Sequence, residues 1–125
     1  MFLGTHLILY SRNPEADRAF FRDILELPAV DAGQNWLIFA LPPAEIAVHP
    51  AQIQGNEDTS SDSHTSCDVY LMCRSLDLTI AALAAKNVTC GEVQQARWGA
   101  VTTIPLPSGG KLGLYEPRHS LAIAV

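Results

Sequence analysis

Residues 111–117 read Lys-Leu-Gly-Leu-Tyr-Glu-Pro, and with residues 67–73, Cys-Asp-Val-Tyr-Leu-Met-Cys, they frame a unit that the chain contains twice. The first copy begins with residues 6–10, His-Leu-Ile-Leu-Tyr, and ends with residues 45–50, Glu-Ile-Ala-Val-His-Pro. Both copies start and finish on an apolar stretch that suits a strand, and both enclose a segment with helix signals. Such a repeat indicates two structural units that bury one shared surface, with a site between them.

Each unit contains a helix with a clear start signal. Asn13 is a favourable N-cap and is followed by Pro14, and Ser75 has the same capping role in the second unit. Apolar residues recur at helical spacing after each cap, so one face of each helix should pack against a sheet. We expect the first helix to end at Pro28 and the second near Asn87.

The remaining apolar stretches predict strands. They are residues 7–10, 36–40, 45–49 and a less defined segment around Val30 in the first unit, and residues 69–73, 88–90, 100–104 and 111–115 in the second. Each unit is therefore β-α-β-β-β, and the fold class is α+β with mainly antiparallel sheets. We expect one domain over residues 1–125, with module one at about 4–50, a polar linker at about 51–66 and module two at about 67–118.

The composition fits one cytoplasmic domain. The chain has 125 residues, of which 48% are hydrophobic and 17% are charged, and this is enough apolar material for a core. No run approaches the roughly 18 apolar residues of a membrane span. No basic segment precedes the N-terminal apolar stretch, as a signal peptide would require. We therefore expect a cytoplasmic protein without a membrane partner.

Charge and cysteine content argue against a nucleic-acid-binding protein and against a protein held together by disulfides or structural zinc. The net charge is −5, and Lys86 and Lys111 are the only lysines, so we expect no nucleic-acid partner. Cys67, Cys73 and Cys90 are an odd number without a Cys-x-x-Cys spacing. We expect free thiols rather than a disulfide framework or a structural zinc site.

The order of elements, Trp98-Gly99 before the closing hairpin, and Leu114-Tyr115-Glu116-Pro117 at the end carry a resemblance over nearly the whole chain. The chain resembles the vicinal oxygen chelate superfamily, which includes glyoxalase I, extradiol dioxygenases, fosfomycin-resistance enzymes and bleomycin-resistance proteins. The resemblance implies two modules whose curved mixed or antiparallel sheets surround a pocket. It also implies a small-molecule ligand and a homodimer.

The resemblance places metal ligands on the first and last strands of each module. Those positions are His6, Ala47, Asp68 and Gly113 in this chain, and neither Ala47 nor Gly113 has a donor atom in its side chain. Two side-chain ligands remain, fewer than the three of a catalytic zinc or iron site. We therefore expect no metal and no cofactor. The alternative is one divalent ion, Fe, Zn, Ni or Mn, held by His6, Asp68 and His49.

Aromatic side chains share the strand faces that should line the pocket. The candidate ligand-binding residues are Tyr10, Trp36, His49, Asp68, Tyr70, Met72, Trp98, Gly113 and Tyr115. Gly113 should enlarge the pocket because it lacks a side chain. The competing interpretation is structural: the aromatic residues pack in the core, and His6 forms a buried ion pair with Asp68.

Two functions follow from these residues. In the first, the chain is a metal-free binding module for a small aromatic or amphipathic molecule. In the second, it is a metal-dependent lyase or extradiol-type dioxygenase, in which the metal acts as Lewis acid and template. That enzyme needs a third metal ligand. His49 is the best candidate, and Glu45 and Glu116 are the next candidates. A metal-free isomerase with His6 or His49 as its base is a weaker third interpretation. The ligand count favours the binding module.

Overall fold

The structure, a computed structural model, describes residues 1, 3–50 and 66–123. Within them lie two helices and six strands. Their order is α1 (Pro14–Asp23), β1 (Ala29–Asp31), β2 (Leu37–Phe39), β3 (Tyr70–Met72), α2 (Leu76–Ala84), β4 (Gln94–Ala96), β5 (Gly99–Pro105) and β6 (Lys111–Pro117). The predicted α+β class is confirmed. The predicted linker at 51–66 lies, apart from Ser66, outside the described residues.

The second module has the predicted β-α-β-β-β order. Its four strands form one mixed sheet in the order β3-β6-β5-β4. The long strands β5 and β6 pair antiparallel, beginning with Gly99 opposite Pro117. β3 pairs parallel with β6, which brings Tyr70 beside Gly113. The sheet is therefore the main scaffold of the molecule.

The strand β4 is not where the sequence places it. We expected residues 88–90 to be extended and paired, but Val88 is a buried core residue outside any strand, and β4 covers Gln94–Ala96. Ala96 lies opposite Gly99, so β4 and β5 form a tight hairpin. Pairing with β5 therefore outweighs the low strand preference of Ala96 in β4.

The helix α2 begins at Leu76, where Ser75 caps it as predicted. The Ser75 hydroxyl oxygen accepts the backbone N–H of Leu78 at 3.2 Å. The carboxylate of Glu116 accepts the backbone N–H of Leu76 at 2.7 Å, so a side chain of β6 satisfies a second free donor of the helix. Asn87 follows the helix with a φ of 64°, as the sequence predicted.

The core lies between α2, α1 and one face of the second module's sheet. Alternate residues of β5 and β6 point into it, as the period of two along a strand requires. The buried apolar residues are Phe20, Leu76, Leu83, Val88, Ala100, Ile104, Leu106, Leu112 and Leu114. Thr102 is also buried. Its hydroxyl donates to the carbonyl of Gly91 at 2.7 Å, so this buried hydroxyl has a hydrogen-bond partner.

The helix α1 joins the first module to this core. The side chain of Asn13 accepts the backbone N–H of Ala16 at 3.2 Å, which confirms the predicted cap. Phe20 is buried in the core. The helix ends at Asp23 rather than at Pro28, because the chain leaves the helical conformation at Glu26, whose φ is 56°.

The first module has a two-stranded sheet beside α1. β1 and β2 pair antiparallel with Val30 opposite Ile38, so both the weak strand around Val30 and the strand within 36–40 are confirmed. The turn between them is held by Asp31, whose carboxylate accepts the backbone N–H groups of Gly33 at 2.8 Å and Asn35 at 3.3 Å.

The outer stretches of the first module do not form the strands that their sequence predicts. Residues 7–10 and 45–49 have no assigned strand and are largely exposed. Ile46 is 87% exposed and Val48 is 90% exposed. A strand needs a hydrogen-bonded neighbour, and neither stretch has one among the described strands. The first module is therefore α-β-β in this structure.

Neither helix in the described part of the chain combines the length and the apolar character that crossing a membrane requires.

Candidate functional site

The second module's sheet has one face away from the core, and this open face carries the side chains that the sequence assigned to a pocket. Alternation places Val101 and Thr103 of β5 on it, together with Gly113 and Tyr115 of β6. Tyr70 joins them from β3, where it lies beside Gly113 in the ladder. The open face is therefore the candidate functional site.

An open depression of about 340 Å³ lies on this face. Tyr70, Val69 and Val101 are among the residues that line it. The polar residues that line it are Asp68, Glu92, Gln94, Thr102, Thr103 and Lys111. The depression therefore combines one aromatic ring with several polar side chains.

Gly113 does not enlarge this depression, which corrects the expectation from the sequence. A Cβ atom at position 113 would overlap the ring of Tyr70. The ring therefore occupies the space that a side chain would fill. Glycine is needed here for the close approach of the tyrosine.

Three aromatic side chains form a connected group beside the depression, and we call Tyr70, Trp98 and Tyr115 the aromatic cluster. The rings of Tyr70 and Tyr115 meet edge to face at 6.1 Å, and those of Trp98 and Tyr115 meet edge to face at 5.4 Å. The Tyr115 hydroxyl donates to the carbonyl of Trp98 at 3.2 Å. Tyr70 is 48% exposed and Trp98 is 50% exposed, so the cluster offers ring surface to a ligand.

A carboxylate from the first module lies near the cluster. Burial raises the pKa of the Tyr115 phenol above its usual value, and the negative charge of Glu45 raises it further. Glu45 is half-buried, and one of its oxygens accepts the backbone N–H of Ala122 at 2.8 Å. The site therefore combines aromatic rings with a negative charge.

Of the other sequence candidates, Trp36 and Tyr10 lie away from this group, and Met72 lies beside it. Trp36 is exposed and its ring contacts the guanidinium of Arg18, at 4.4 Å from the ring centroid. Tyr10 is 90% exposed and lies near the turn at Ser108 rather than in the depression. Met72 stands opposite Tyr115 in the ladder and is half-buried.

The histidines predicted for catalysis do not meet the acidic residues. His6 and Asp68 are both exposed, so the buried ion pair expected between them does not form. His49 is exposed on the stretch that lacks a strand partner. Asp68 is thus the member of the proposed ligand set that lines the depression.

The residues at the four family metal positions do not fit a metal ion. Ala47 and Gly113 offer no donor, as the sequence showed. No three His, Cys, Asp or Glu side chains of residues 1, 3–50 and 66–123 gather around one point. The carboxylate of Glu116 caps α2, and that of Glu45 accepts Ala122, so neither is placed as a free third ligand.

Sequence reasoning missed several residues of this region. Thr103 could have been found, because the alternation that puts Ile104 in the core puts Thr103 on the open face. Glu92 and Gln94 lie on a polar segment without a hydrophobic pattern, and His119 lies beyond the last strand. No local signal marks these three residues as neighbours of the site.

Three solved structures show what the chain is similar to. TnmS3, an antibiotic-binding protein from Streptomyces sp. CB03234, is 18% identical over 94% of this chain and 99% of that chain, with a TM-score of 0.59. A lactoylglutathione lyase from Agrobacterium tumefaciens is 15% identical over 93% and 92% of the two chains, with a TM-score of 0.57. A member of the glyoxalase/bleomycin resistance protein/dioxygenase superfamily from Sphaerobacter thermophilus DSM 20745 is 17% identical over 93% and 97%, with a TM-score of 0.54.

No family model and no curated protein matches the sequence. The similarity to the solved structures extends over nearly the full length of both partners in each comparison. It agrees with the β-α-β-β-β order of the second module and with the resemblance that the sequence carries. The chain has the fold of the glyoxalase/bleomycin-resistance/dioxygenase superfamily.

Proposed function

We propose that the chain binds a small aromatic or amphipathic molecule on the open face of the second module's sheet, without a metal ion. The observation that carries this proposal is the aromatic cluster at the edge of the depression. The side chains of Tyr70 and Trp98 are half exposed, although aromatic side chains of this size stabilise a complex most when a partner covers them. A flat apolar ligand that covered them would gain roughly 25 cal/mol for each Å² of apolar surface removed from water.

The polar groups of the depression support an amphipathic ligand. Thr103 and Gln94 offer hydrogen-bonding groups next to Tyr70, and Asp68 and Lys111 offer one charge of each sign. A ligand with a flat ring and one or two polar substituents would satisfy both parts of the site. Among the similar structures, TnmS3 is described as an antibiotic-binding protein, which is consistent with this class of ligand.

Binding is best tested by the fluorescence of Trp98. A Trp36→Phe variant leaves Trp98 as the single tryptophan of the chain. We expect uncharged bicyclic and tricyclic aromatics to quench its emission and to raise the melting temperature. Tyr70→Ala should weaken binding about fivefold, and Tyr70→Phe, which keeps the ring, should bind like the wild type. Equal binding by both variants would contradict the proposal.

The metal-dependent lyase or dioxygenase has no geometric observation in its favour. It can be tested directly by titration of Ni²⁺, Zn²⁺, Fe²⁺ and Mn²⁺ into protein purified without a histidine tag. We expect no stoichiometric binding to the wild type. Stoichiometric binding that His6→Ala removes would make the enzyme the better interpretation.

We also propose that the chain acts as a homodimer in the cytoplasm. The stretches 7–10 and 45–49 expose apolar side chains, and their backbone pairs with no strand of the described residues, so a second copy would supply partners for both. Ile8 and Val48 are 68% and 90% exposed. The cytoplasm is favoured by Cys67, Cys73 and Cys90, which are all free thiols.

The dimer is tested by sedimentation equilibrium. We expect the mass of two chains, and Val48→Glu should return the mass of one because a charge cannot be buried in an apolar contact. Leu78→Glu is the matched control, since Leu78 is an exposed apolar residue on α2. A monomeric wild type, or equal loss of the dimer in both variants, would contradict this interface.

A further inference from the structure

The ring of His119 packs on the aromatic cluster from a segment outside the sheet. Its centroid lies 5.7 Å from that of Tyr115, with the planes inclined at 34°. This is closer to stacking than the other two contacts of Tyr115, whose planes are inclined at 64° and 68°. Nδ1 of His119 carries a proton and donates to the carbonyl of Ser120 at 2.8 Å, because a carbonyl oxygen only accepts.

The segment that carries His119, residues 118–123, is held by several hydrogen bonds at its Arg118 end and by a bond from Ala122 at its other end. The backbone N–H of Arg118 donates to the carbonyl of Trp98 at 2.8 Å. The Arg118 guanidinium donates to two oxygens of β4, at 3.2 Å and 2.6 Å. At the other end, the bond from Ala122 to Glu45 connects the segment to the first module. The segment is therefore a strap that crosses the cluster between these two anchors.

The charges around the cluster favour a positive group there. One carboxylate oxygen of Glu45 accepts the N–H of Ala122 on the strap, and no donor among the described residues bonds its second oxygen. The charge of Glu45 also raises the pKa of Tyr115. The one cation on the strap, Arg118, directs its guanidinium towards β4. The chain as a whole has a net charge of −5. A cation on the ring faces would meet little repulsion and one nearby carboxylate.

We infer that the aromatic cluster and Glu45 form a subsite for a planar organic cation, and that His119 occupies this subsite when no ligand is bound. The inference rests on the proposed function, because it assigns a charge to the flat ligand proposed for the same face. The subsite recognises an aromatic ring that contains or carries a cationic nitrogen. Tyr115 would stack on the ring and the Glu45 carboxylate would face its charge.

His119 and the ligand then compete for one position. The imidazole is a planar ring with nitrogen atoms, so it matches the shape of the proposed ligand. Displacing it requires the strap to move at the Ala122 end, where it has one hydrogen bond to Glu45. Release of that bond also frees the oxygen that accepts Ala122, so both oxygens of the Glu45 carboxylate can face the cation. Ligand binding and strap opening are therefore coupled through the Glu45 side chain.

Two probes of the same shape and different charge test the subsite. We use N-methylacridinium, a planar cation, and acridine in mildly alkaline buffer, where acridine is uncharged. Quenching of Trp98 in the Trp36→Phe background reports both. We expect the cation to bind roughly fivefold more tightly than acridine. Glu45→Gln should remove this difference and leave acridine binding unchanged, and Glu15→Gln, which removes an exposed carboxylate on α1, should change neither probe.

The strap is tested with two further variants. His119→Ala removes the competing ring, and Ala122→Pro removes the N–H that Glu45 accepts without changing the charge of the chain. Each should tighten binding of both probes about threefold, since each weakens the closed state. Weaker or unchanged binding in both variants would overturn the role of His119.

The outcomes separate this inference from the proposed function. If both probes bind equally well, and Glu45→Gln has no effect, the cation subsite is wrong and the binding of aromatic molecules stands. If neither probe quenches Trp98, the proposed function fails and the subsite fails with it. Circular dichroism and the melting temperature of each variant show whether a loss of binding is a loss of fold.

Discussion

The carboxylate of Asp17 accepts two hydrogen bonds from Ser108, one from its backbone N–H at 3.1 Å and one from its hydroxyl at 2.7 Å. Asp17 is on α1 and is 3% exposed, and Ser108 is in the turn between β5 and β6. The bonds therefore connect the helix of the first module to the sheet of the second. Gly109, with a φ of 98°, completes the turn that presents Ser108 to the helix.

Loss of this carboxylate should destabilise the whole chain. Asp17→Ala leaves both donors of the partly buried Ser108 without the acceptor that they have in the wild type, and we expect the free energy of unfolding to fall by about 2 kcal/mol. Asp17→Asn keeps one acceptor oxygen and should cost about half as much. Urea denaturation measures both. Asp23→Ala is the control, because Asp23 is exposed and should cost less than about 0.5 kcal/mol.

The cap on α2 provides a second prediction. Glu116→Ala removes the acceptor of the Leu76 N–H, and we expect a loss of about 1–2 kcal/mol in the free energy of unfolding. Glu116→Gln keeps an acceptor and should lose less than half of that. If Glu116 instead served as a metal ligand, the glutamine variant would lose metal binding without a change in stability, which would contradict the capping role.

The contact between Tyr70 and Gly113 provides a third prediction. Gly113→Ala places a methyl group against the tyrosine ring, and we expect it to cost about 1–2 kcal/mol. In a Tyr70→Ala background the space is free, so the same change should cost almost nothing. A double-mutant cycle by chemical denaturation measures this coupling. Additive costs would show that the ring does not cover Gly113.

The contact between Lys86 and Glu26 provides a prediction about pH. The hydrogen bond and the charge of Lys86 hold the pKa of the Glu26 carboxyl below its usual value. The ammonium of Lys86 also donates to the carbonyl of Ile24 at 2.8 Å. Lys86→Met should therefore raise the pKa of Glu26 to the ordinary range, which carboxyl chemical shifts in a titration measure by NMR.

The sign of the stability effect follows from the direction of that shift. Because the pKa of Glu26 is lower in the folded chain than in the unfolded chain, its stabilising contribution is present above the unfolded pKa. It is lost as the pH falls through the folded pKa. The wild type should therefore lose slightly more stability than Lys86→Met over this acidic interval. An equal loss in both proteins would exclude the coupling.

Local signals in the sequence predicted the helix starts and most of the second sheet correctly. Asn13 and Ser75 cap their helices because a cap depends only on residues within one turn. The strand at 111–115 was found because β6 alternates between core and open face. In these places the residues that determine a helix cap or a strand lie within a few positions of it in the sequence.

The wrong predictions concern places where a residue distant in sequence determines the local structure. The strand at 88–90 was wrong because β4 is selected by its hairpin with Gly99–Val101. Gly113 was expected to open the pocket, but Tyr70 on another strand covers it. Glu116 was considered as a metal ligand because nothing near it in sequence reveals that it caps Leu76. Such contacts depend on register between elements, which local pattern does not encode.

Eight of the nine buried apolar residues in the described part of the chain belong to the second module, and Phe20 is the one from the first. A substitution in the first module therefore disturbs few core contacts. We expect exposed positions of the first module to accept substitutions at a lower cost in stability than the core positions of the second, so the first module is the half of the chain that tolerates sequence change.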